Sequence, residues 1–256
     1  MYRFDRAIVR TPARSVVNGM SAAGGKPSFD GVVREHAAYV AALREAGVGV
    51  DVLPALEAYP DSIFVEDTAL VFTGAAIALR PGAPTRAGEV ANMSPELTRR
   101  FPRTLHLSEG FVDGGDVLAT PNGIFVGLSS RTNREGAQAL AALLAEIDLK
   151  AIVVTTPPGV LHFKSDCALV DSDTILATAR LAQSGVFAGF RTLIVPQGEE
   201  PAANALRIND RVFLSENYQR TRDLIAKHVP NVVTLPTREI GKIDAGLSCM
   251  SLRWLA

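Results

Sequence analysis

The sequence predicts an α/β fold made of five repeated units. Three observations carry that reading. Short apolar runs alternate with helical periodicity. Four pairs of those runs are joined by turn chemistry. The pairs recur about every 40–50 residues, a spacing that favours a closed array over a single open sheet. The last apolar run, Gly246–Leu252, can pair with Arg6–Pro12 near the start, which closes the ring and leaves no free sheet edge. An ordinary open α/β sheet is the competing architecture, since the self-similarity between units is weak.

The elements follow in order. Asp30 reads as the cap of a first helix that runs to about Ala46. Val33, Ala37, Val40 and Leu43 lie on one face of it, and Gly47 is the stop. Upstream, Asn18–Ser28 is small, polar and glycine-rich, and it reads as a mobile surface loop. Ser94-Pro95-Glu96 reads as a second helix start with proline in the first turn. Asn133 opens the longest periodic helix, through Ala139, Leu140, Leu143, Leu144 and Ile147; Thr221–His228 is a shorter one. The hairpin turns are Phe72-Thr73-Gly74, Pro121-Asn122-Gly123, Asp171-Ser172-Asp173 and Asn209-Asp210. The runs before them, and the run near the C-terminus, are the five first strands: Val65–Val71, Val112–Ala119, Ser165–Val170, Ala202–Ile208 and Gly246–Leu252. No linker separates the units, so residues 1–256 read as one domain.

Composition narrows the function. The chain has 256 residues, is 47% hydrophobic and carries a net charge of -1, which does not suggest a nucleic-acid or anionic-membrane binder. Two cysteines cannot build a disulfide framework or a four-thiolate zinc site, and no HExxH or CxxC spacing is present, so neither a metal nor a cofactor is expected. Gly114-Gly115-Asp116 leads into a strand instead of a helix, which removes the phosphate-loop reading. MYRFDRAIVR lacks the apolar core of a secretory signal, and no stretch approaches a membrane span. A cytoplasmic protein is expected.

Every unit carries polar or reactive residues where a core strand wants apolar ones: Glu66 and Asp67, Asp113 and Asp116, His162 and Asp166, Asn204, and Cys249. Around a common axis these positions converge on one site. Strand alternation puts Cys249, Ser251 and Arg253 on a polar face, with Met250, Leu252 and Trp254 opposite. Cys167 reads as a core residue. Among the histidines, His36 reads as a surface or packing residue, His228 as a helix-end charge and His106 as solvent-facing. His162 is either structural or, if it lies beside Cys249, the acid/base partner of a thiol nucleophile.

The ordered motifs FVEDTALV, RPGAPTR, VDGGDVL, SSRTN, LHFKS and KIDAGLSCMS resemble those of the dimethylarginine dimethylaminohydrolases, nearly end to end. These enzymes belong to the guanidino-group-modifying superfamily. The resemblance implies a five-bladed α/β propeller, the pentein fold, with pseudo-fivefold repeats around a central substrate channel. It also implies hydrolysis of a dimethyl- or monomethylarginine to citrulline through a covalent thiouronium on cysteine. By the same resemblance Cys249 is the nucleophile, His162 the general acid/base, and Asp113 and Asp67 the carboxylates on the guanidinium, with Glu66 in the same motif. Asp113 stands where some relatives have Glu. Asp61 matches a ligand of the amino-acid end, and Arg86 and Arg131 match the pair on the α-carboxylate. Met20 and Ile243 match backbone contacts, with the Met20 loop closing over the channel, and Phe64 packs on the guanidinium plane. The implied partner is a small cationic amino acid, not nucleic acid or membrane. A homodimer is compatible with the sequence. Two alternatives stand beside this reading: an arginine deiminase-like or other guanidine hydrolase of the superfamily, and a non-catalytic propeller that only binds.

Overall fold

The structure is a computed structural model and describes residues 2–22 and 24–256. The chain opens with β1 (Arg6–Arg10), α1 (Phe29–Glu45) and β2 (Gly49–Leu53). Four units of one design follow: β3 (Ala69–Phe72), β4 (Ala75–Ala78), α2 (Ala87–Arg100) and β5 (Arg103–His106); β6 (Val117–Thr120), β7 (Gly123–Leu128), α3 (Arg134–Ala145) and β8 (Ala151–Thr155); β9 (Cys167–Asp171), β10 (Thr174–Ala177), α4 (Ala179–Gln183) and β11 (Arg191–Ile194); β12 (Leu206–Ile208), β13 (Arg211–Ser215), α5 (Gln219–Ala226) and β14 (Asn231–Leu235). Last comes β15 (Leu252–Trp254), which pairs antiparallel with β1, so that Ile8 faces Leu252.

Each of the five sheets has three strands. The first pairs antiparallel with the second through a hairpin or, for β15 and β1, through the meeting of the chain's two ends. The second pairs parallel with the third across a helix. Four of the hairpins form at the turns read from the sequence, and Asn209 takes the left-handed conformation (φ 53°) that asparagine tolerates in such a turn. The fold is the expected five-bladed α/β propeller, closed by the β15–β1 pairing.

Five apolar cores, each lying between consecutive units, hold the ring. Ile8, Met93 and Trp254 fill one; Ile77, Ile124 and Leu140 the next; Phe125, Phe163 and Ile175 a third; Val170, Val212 and Ile225 a fourth. The fifth, with Val9, Tyr39, Leu43 and Phe213, joins the fourth unit to the first-and-last unit and completes the circle. Fully burying one such side chain stabilises by roughly 1.5–3 kcal/mol. Blade contacts of this kind therefore give the ring its rigidity. Cys167 is buried among them, His36 is buried in α1, and His106 and His228 are exposed.

Three local expectations are corrected. The cap of α1 is Ser28, whose hydroxyl accepts the Gly31 N–H, with Asp30 in the first turn. α2 does not begin at Ser94. It begins at Ala87 and carries Pro95 inside. Packing of Met93 and Leu97, both without exposed surface, outweighs the lost backbone bond, and Ala91, whose carbonyl Pro95 leaves free, is exposed. The glycine-rich segment is tied down at several described points: Met20 N–H to Asp61 Oδ1 (3.0 Å), Ser21 Oγ to the Lys242 carbonyl (2.6 Å) and Ala22 N–H to Asp244 (2.5 Å). Ala23 of that loop lies outside the described residues.

Candidate active site

Each unit enters its inner strand through a short 3-10 turn: Val65–Thr68, Gly114–Asp116, Phe163–Ser165, Glu200–Ala203 and Ser248–Met250. The strands expected from the sequence cover the first, second and fifth of these segments whole, and of the other two only Ser165 and Ala202-Ala203. The correction matters, because neighbouring residues of these turns serve two different cavities. Asp67, His162 and Cys249 line a front cavity of about 360 Å³, while Glu66, Lys164 and Ser248 line a rear cavity of about 650 Å³. The polar face expected for Cys249, Ser251 and Arg253 therefore does not exist as one surface. Cys249 faces the front, and Ser251 and Arg253 the rear.

Eight of the ten expected site residues line the front cavity: Met20, Asp61, Asp67, Arg86, Arg131, His162, Ile243 and Cys249. Phe64 lines it too. The other two do not. Glu66 turns the opposite way, with Oε1 2.5 Å from Lys164 Nζ and 3.0 Å from Arg253, and Oε2 accepting from Ser248 Oγ. Asp113 has no exposed surface and sits behind His162, where its side chain reaches the imidazole and the Gly82 N–H.

His162 Nε2 lies 2.9 Å from Asp113 Oδ2. Its ring packs over Gly115, where an added Cβ would come within 2.9 Å of Cγ and Nδ1. That close approach explains the glycine. Burial alone would lower the pKa of His162. The charges of Asp67, Asp113 and Asp116 and the hydrogen bond that Asp113 accepts outweigh it and push the value up to about 9. The group is thus an imidazolium at neutral pH, with Nε2–H held by Asp113 and Nδ1–H free to donate. Asp116 fixes the following turn by accepting the Phe163 N–H at 2.8 Å.

Asp67 accepts the Gly115 N–H at 2.7 Å and pairs with Arg86 at 2.5 Å. Burial opposes its ionisation, but Arg86, His162 and the Gly115 N–H together hold its carboxyl below the usual range. Arg86 is gripped from behind by Glu89, with Nε to Oε1 at 3.0 Å and Nη2 to Oε2 at 2.7 Å, and its Nη2 also donates to the Phe64 carbonyl. Of its five N–H groups, one on Nη1 stays uncommitted. Arg131 is less occupied: it touches Met20 Sδ at 3.4 Å and lies 3.9 Å from Asp113.

Cys249 sits on its turn with its N–H on the Gly246 carbonyl and Ser248 Oγ 3.9 Å from Sγ. Burial, together with the charges of Glu66 and Asp67, pushes its thiol up to about 12. At neutral pH the cavity therefore holds a neutral thiol and an imidazolium. A cation brought beside the sulfur reverses the balance toward thiolate.

Asp67, Asp113 and His162 also place one donor atom each within 4.8 Å of the others, a set that can hold a divalent ion. Their inward atoms are already committed to Arg86, Gly115, Gly82 and each other, which suits a guanidinium and a proton better than a metal.

Of the remaining polar positions in the repeats, Asp166 anchors Arg180 and Thr178. Asn204 bridges two turns, donating to the Lys164 carbonyl at 3.0 Å and accepting the Ser248 N–H at 3.1 Å. Three residues carry no role in the sequence reading: Glu89, Lys164 and Ser248; Arg253 was placed on the polar face of Cys249 and proves to face the rear cavity. Glu89 carried a usable signal, being three residues after Arg86 on what proves to be a helix. Ser248 looked like an ordinary polar position of a strand, and Lys164 like a polar residue just before one.

A family model described as "N,N dimethylarginine dimethylhydrolase, eukaryotic" matches residues 26–176. The chain is 37% identical to the N(G),N(G)-dimethylarginine dimethylaminohydrolase of Pseudomonas aeruginosa, over 98% of this chain and all of that one. It is 29% identical to the enzyme of the same name from Streptomyces coelicolor, over 97% and 96%. Among solved structures it resembles the Pseudomonas aeruginosa protein as a Cys-to-Ser mutant complexed with citrulline (TM-score 0.94, 35% identity, 98% and 100% coverage). The N-terminal domain of ArgZ, a cyanobacterial arginine dihydrolase, shares the fold at 16% identity and a TM-score of 0.86, over 97% of this chain and 96% of that one.

Proposed function

The chain belongs to the dimethylarginine dimethylaminohydrolase family, and on that premise we propose how its own residues hydrolyse an Nω-methylated arginine to citrulline and the corresponding methylamine. One observation supports the reading above others: a cysteine, an imidazolium and a buried carboxylate share a cavity of about 360 Å³ that also presents two arginines.

The substrate is a zwitterion with a guanidinium at one end. Asp67 receives the guanidinium, with the Phe64 ring against its plane. Asp113 acts through His162 and does not touch the substrate. Arg131 and the uncommitted N–H of Arg86 take the α-carboxylate, Asp61 the amino end, and the Met20 and Ile243 backbone the chain between. Glu66 acts from the rear, through Ser248 and the Cys249 turn.

Binding the cation beside Sγ lowers the thiol pKa, its proton passes to solvent water, and the thiolate adds to the central guanidinium carbon. His162 gives its proton to the departing nitrogen, and dimethylamine leaves. The S-alkylthiouronium that remains is attacked by a water that His162 deprotonates. Collapse of that adduct expels Sγ and frees citrulline. No step needs a metal or an organic cofactor.

The test is product analysis on arginine, monomethylarginine and dimethylarginine. The expected outcome is equimolar citrulline and methylamine or dimethylamine, lost in Cys249→Ser with ligand binding retained. Ammonia released from arginine as the main product would favour the deiminase alternative.

A further inference from the structure

The rear cavity shares no lining residue with the front one. We propose that it is a second ligand site, specific for an amphiphilic monocarboxylate such as a medium-chain acid. The inference does not depend on the proposed catalytic reading.

The inner strands β3, β6, β9, β12 and β15 form the walls, running from the 3-10 turns out to the hairpins, and Leu70, Val117, Leu118, Leu169, Leu252 and Trp254 make most of the surface apolar. At the turn end Glu66, Lys164, Ser248 and Arg253 form a partition, and behind it lies the turn that carries Cys249.

Charge decides the ligand class. The lining holds four cationic side chains, Arg3, Lys164, Arg207 and Arg253, against a single carboxylate, Glu66, in a chain whose net charge is -1. Glu66 meets both Lys164 and Arg253, so one negative charge serves two positive ones. Lys164 is nine-tenths buried. Among the described residues its ammonium has Glu66 as its single side-chain partner, which leaves donors for an anion. Arg207 donates to the Asn209 and Val170 carbonyls and stacks 4.9 Å over Tyr2, and among the described residues no carboxylate pairs with it. Arg3 is exposed and Arg207 stands at the hairpin end, so the buried surplus at the closed end is that of Lys164 and Arg253 over Glu66, and it is satisfied by a negative head group whose chain lies along the walls. A cation meets repulsion there, and a neutral alcohol leaves the surplus uncompensated. A strongly hydrated inorganic anion gains nothing from the apolar walls.

Trp254 is the only tryptophan in the chain and lines this cavity, so its emission reports occupancy directly. Hexanoate, octanoate and decanoate, kept below micelle-forming concentration, are titrated into the full-length protein, with calorimetry in parallel. The expected result is saturable one-to-one binding that tightens about threefold to fourfold for each added methylene until the channel is filled. Decanol should bind at least tenfold more weakly than decanoate, and decylammonium more weakly still. Lys164→Gln, at the closed end, should weaken decanoate at least fivefold, and Ala119→Phe, which narrows the channel, should abolish the gain with chain length. Circular dichroism confirms that both variants are folded. Absence of a saturable signal with decanoate at millimolar concentration overturns the proposal. So does equal affinity for decanol, or wild-type affinity in both folded variants. Binding must persist in Cys249→Ser, which separates this site from the catalytic one whatever the reaction proves to be.

Discussion

The Nε2 atom of His162 lies 2.9 Å from Oδ2 of Asp113, a carboxylate with no exposed surface. The contact fixes which imidazole nitrogen is held and leaves Nδ1 uncommitted among the described residues. It also helps keep the ring protonated up to about pH 9, so the resting group is an acid.

Asp113→Asn removes that support. The expected effect is a fall in kcat of about 10²-fold or more, the scale of one general acid–base group. The alkaline limb of the kcat profile should also move to lower pH. Asp113→Glu should restore part of the rate, since it returns the charge. A pH–rate series on the three proteins makes the comparison, and unchanged limbs in Asp113→Asn would remove the role assigned to Asp113.

His162 also couples pH to stability. Its folded pKa, about 9, lies above the ordinary 6.5, so the charged form is favoured by folding. The stabilisation is complete below about pH 6.5 and fades as pH rises through 9. Its upper bound is about 3 kcal/mol. Urea unfolding of wild type and His162→Asn between pH 6 and 10 should show a gap that closes toward the alkaline end. A gap constant with pH contradicts the assignment.

The free Cys249 thiol, held up to about 12, should react sluggishly with a neutral alkylating agent at pH 7.5 and faster as the solution becomes strongly alkaline. A chloroacetamidine carries its own positive charge. It should label Cys249 at neutral pH far faster than iodoacetamide of similar intrinsic reactivity. Equal rates would argue against activation by a bound cation.

Glu89 grips Arg86 by two hydrogen bonds in a fully buried setting. Glu89→Gln keeps the shape but removes the charge. Arg86 then loses its anchor, and KM should rise about tenfold with kcat changed less than threefold. Stability should drop by about 3 kcal/mol, the scale for breaking a buried pair. Steady-state kinetics and denaturant unfolding read the two effects. A loss confined to kcat would place Glu89 elsewhere in the cycle.

Much of the architecture was legible because it is written in local chemistry. Pro121-Asn122-Gly123 and Asn209-Asp210 specify hairpins wherever they occur, and Asn133 caps its helix by accepting the Gly136 N–H as its side chain suggests. What escaped was decided by tertiary packing. Pro95 looks like a helix start, yet Met93 and Leu97 pull the helix through it. Glu66 and Asp67 are adjacent acids, and strand alternation sends them to opposite faces, but it does not say that one face lines a front cavity and the other a rear one. Nothing in VEDT, LHFK or LSCM distinguishes the 3-10 turn that forms there from strand. The separate fates of Lys164 and His162 were hidden by the same turn.

The most direct test of the central claim is mass spectrometry of the protein quenched in acid during turnover of dimethylarginine. The account predicts a transient adduct on the peptide that carries Cys249, formed with loss of dimethylamine and absent in Cys249→Ser. Citrulline formation at wild-type rate by Cys249→Ser, or an adduct on any other residue, would contradict it.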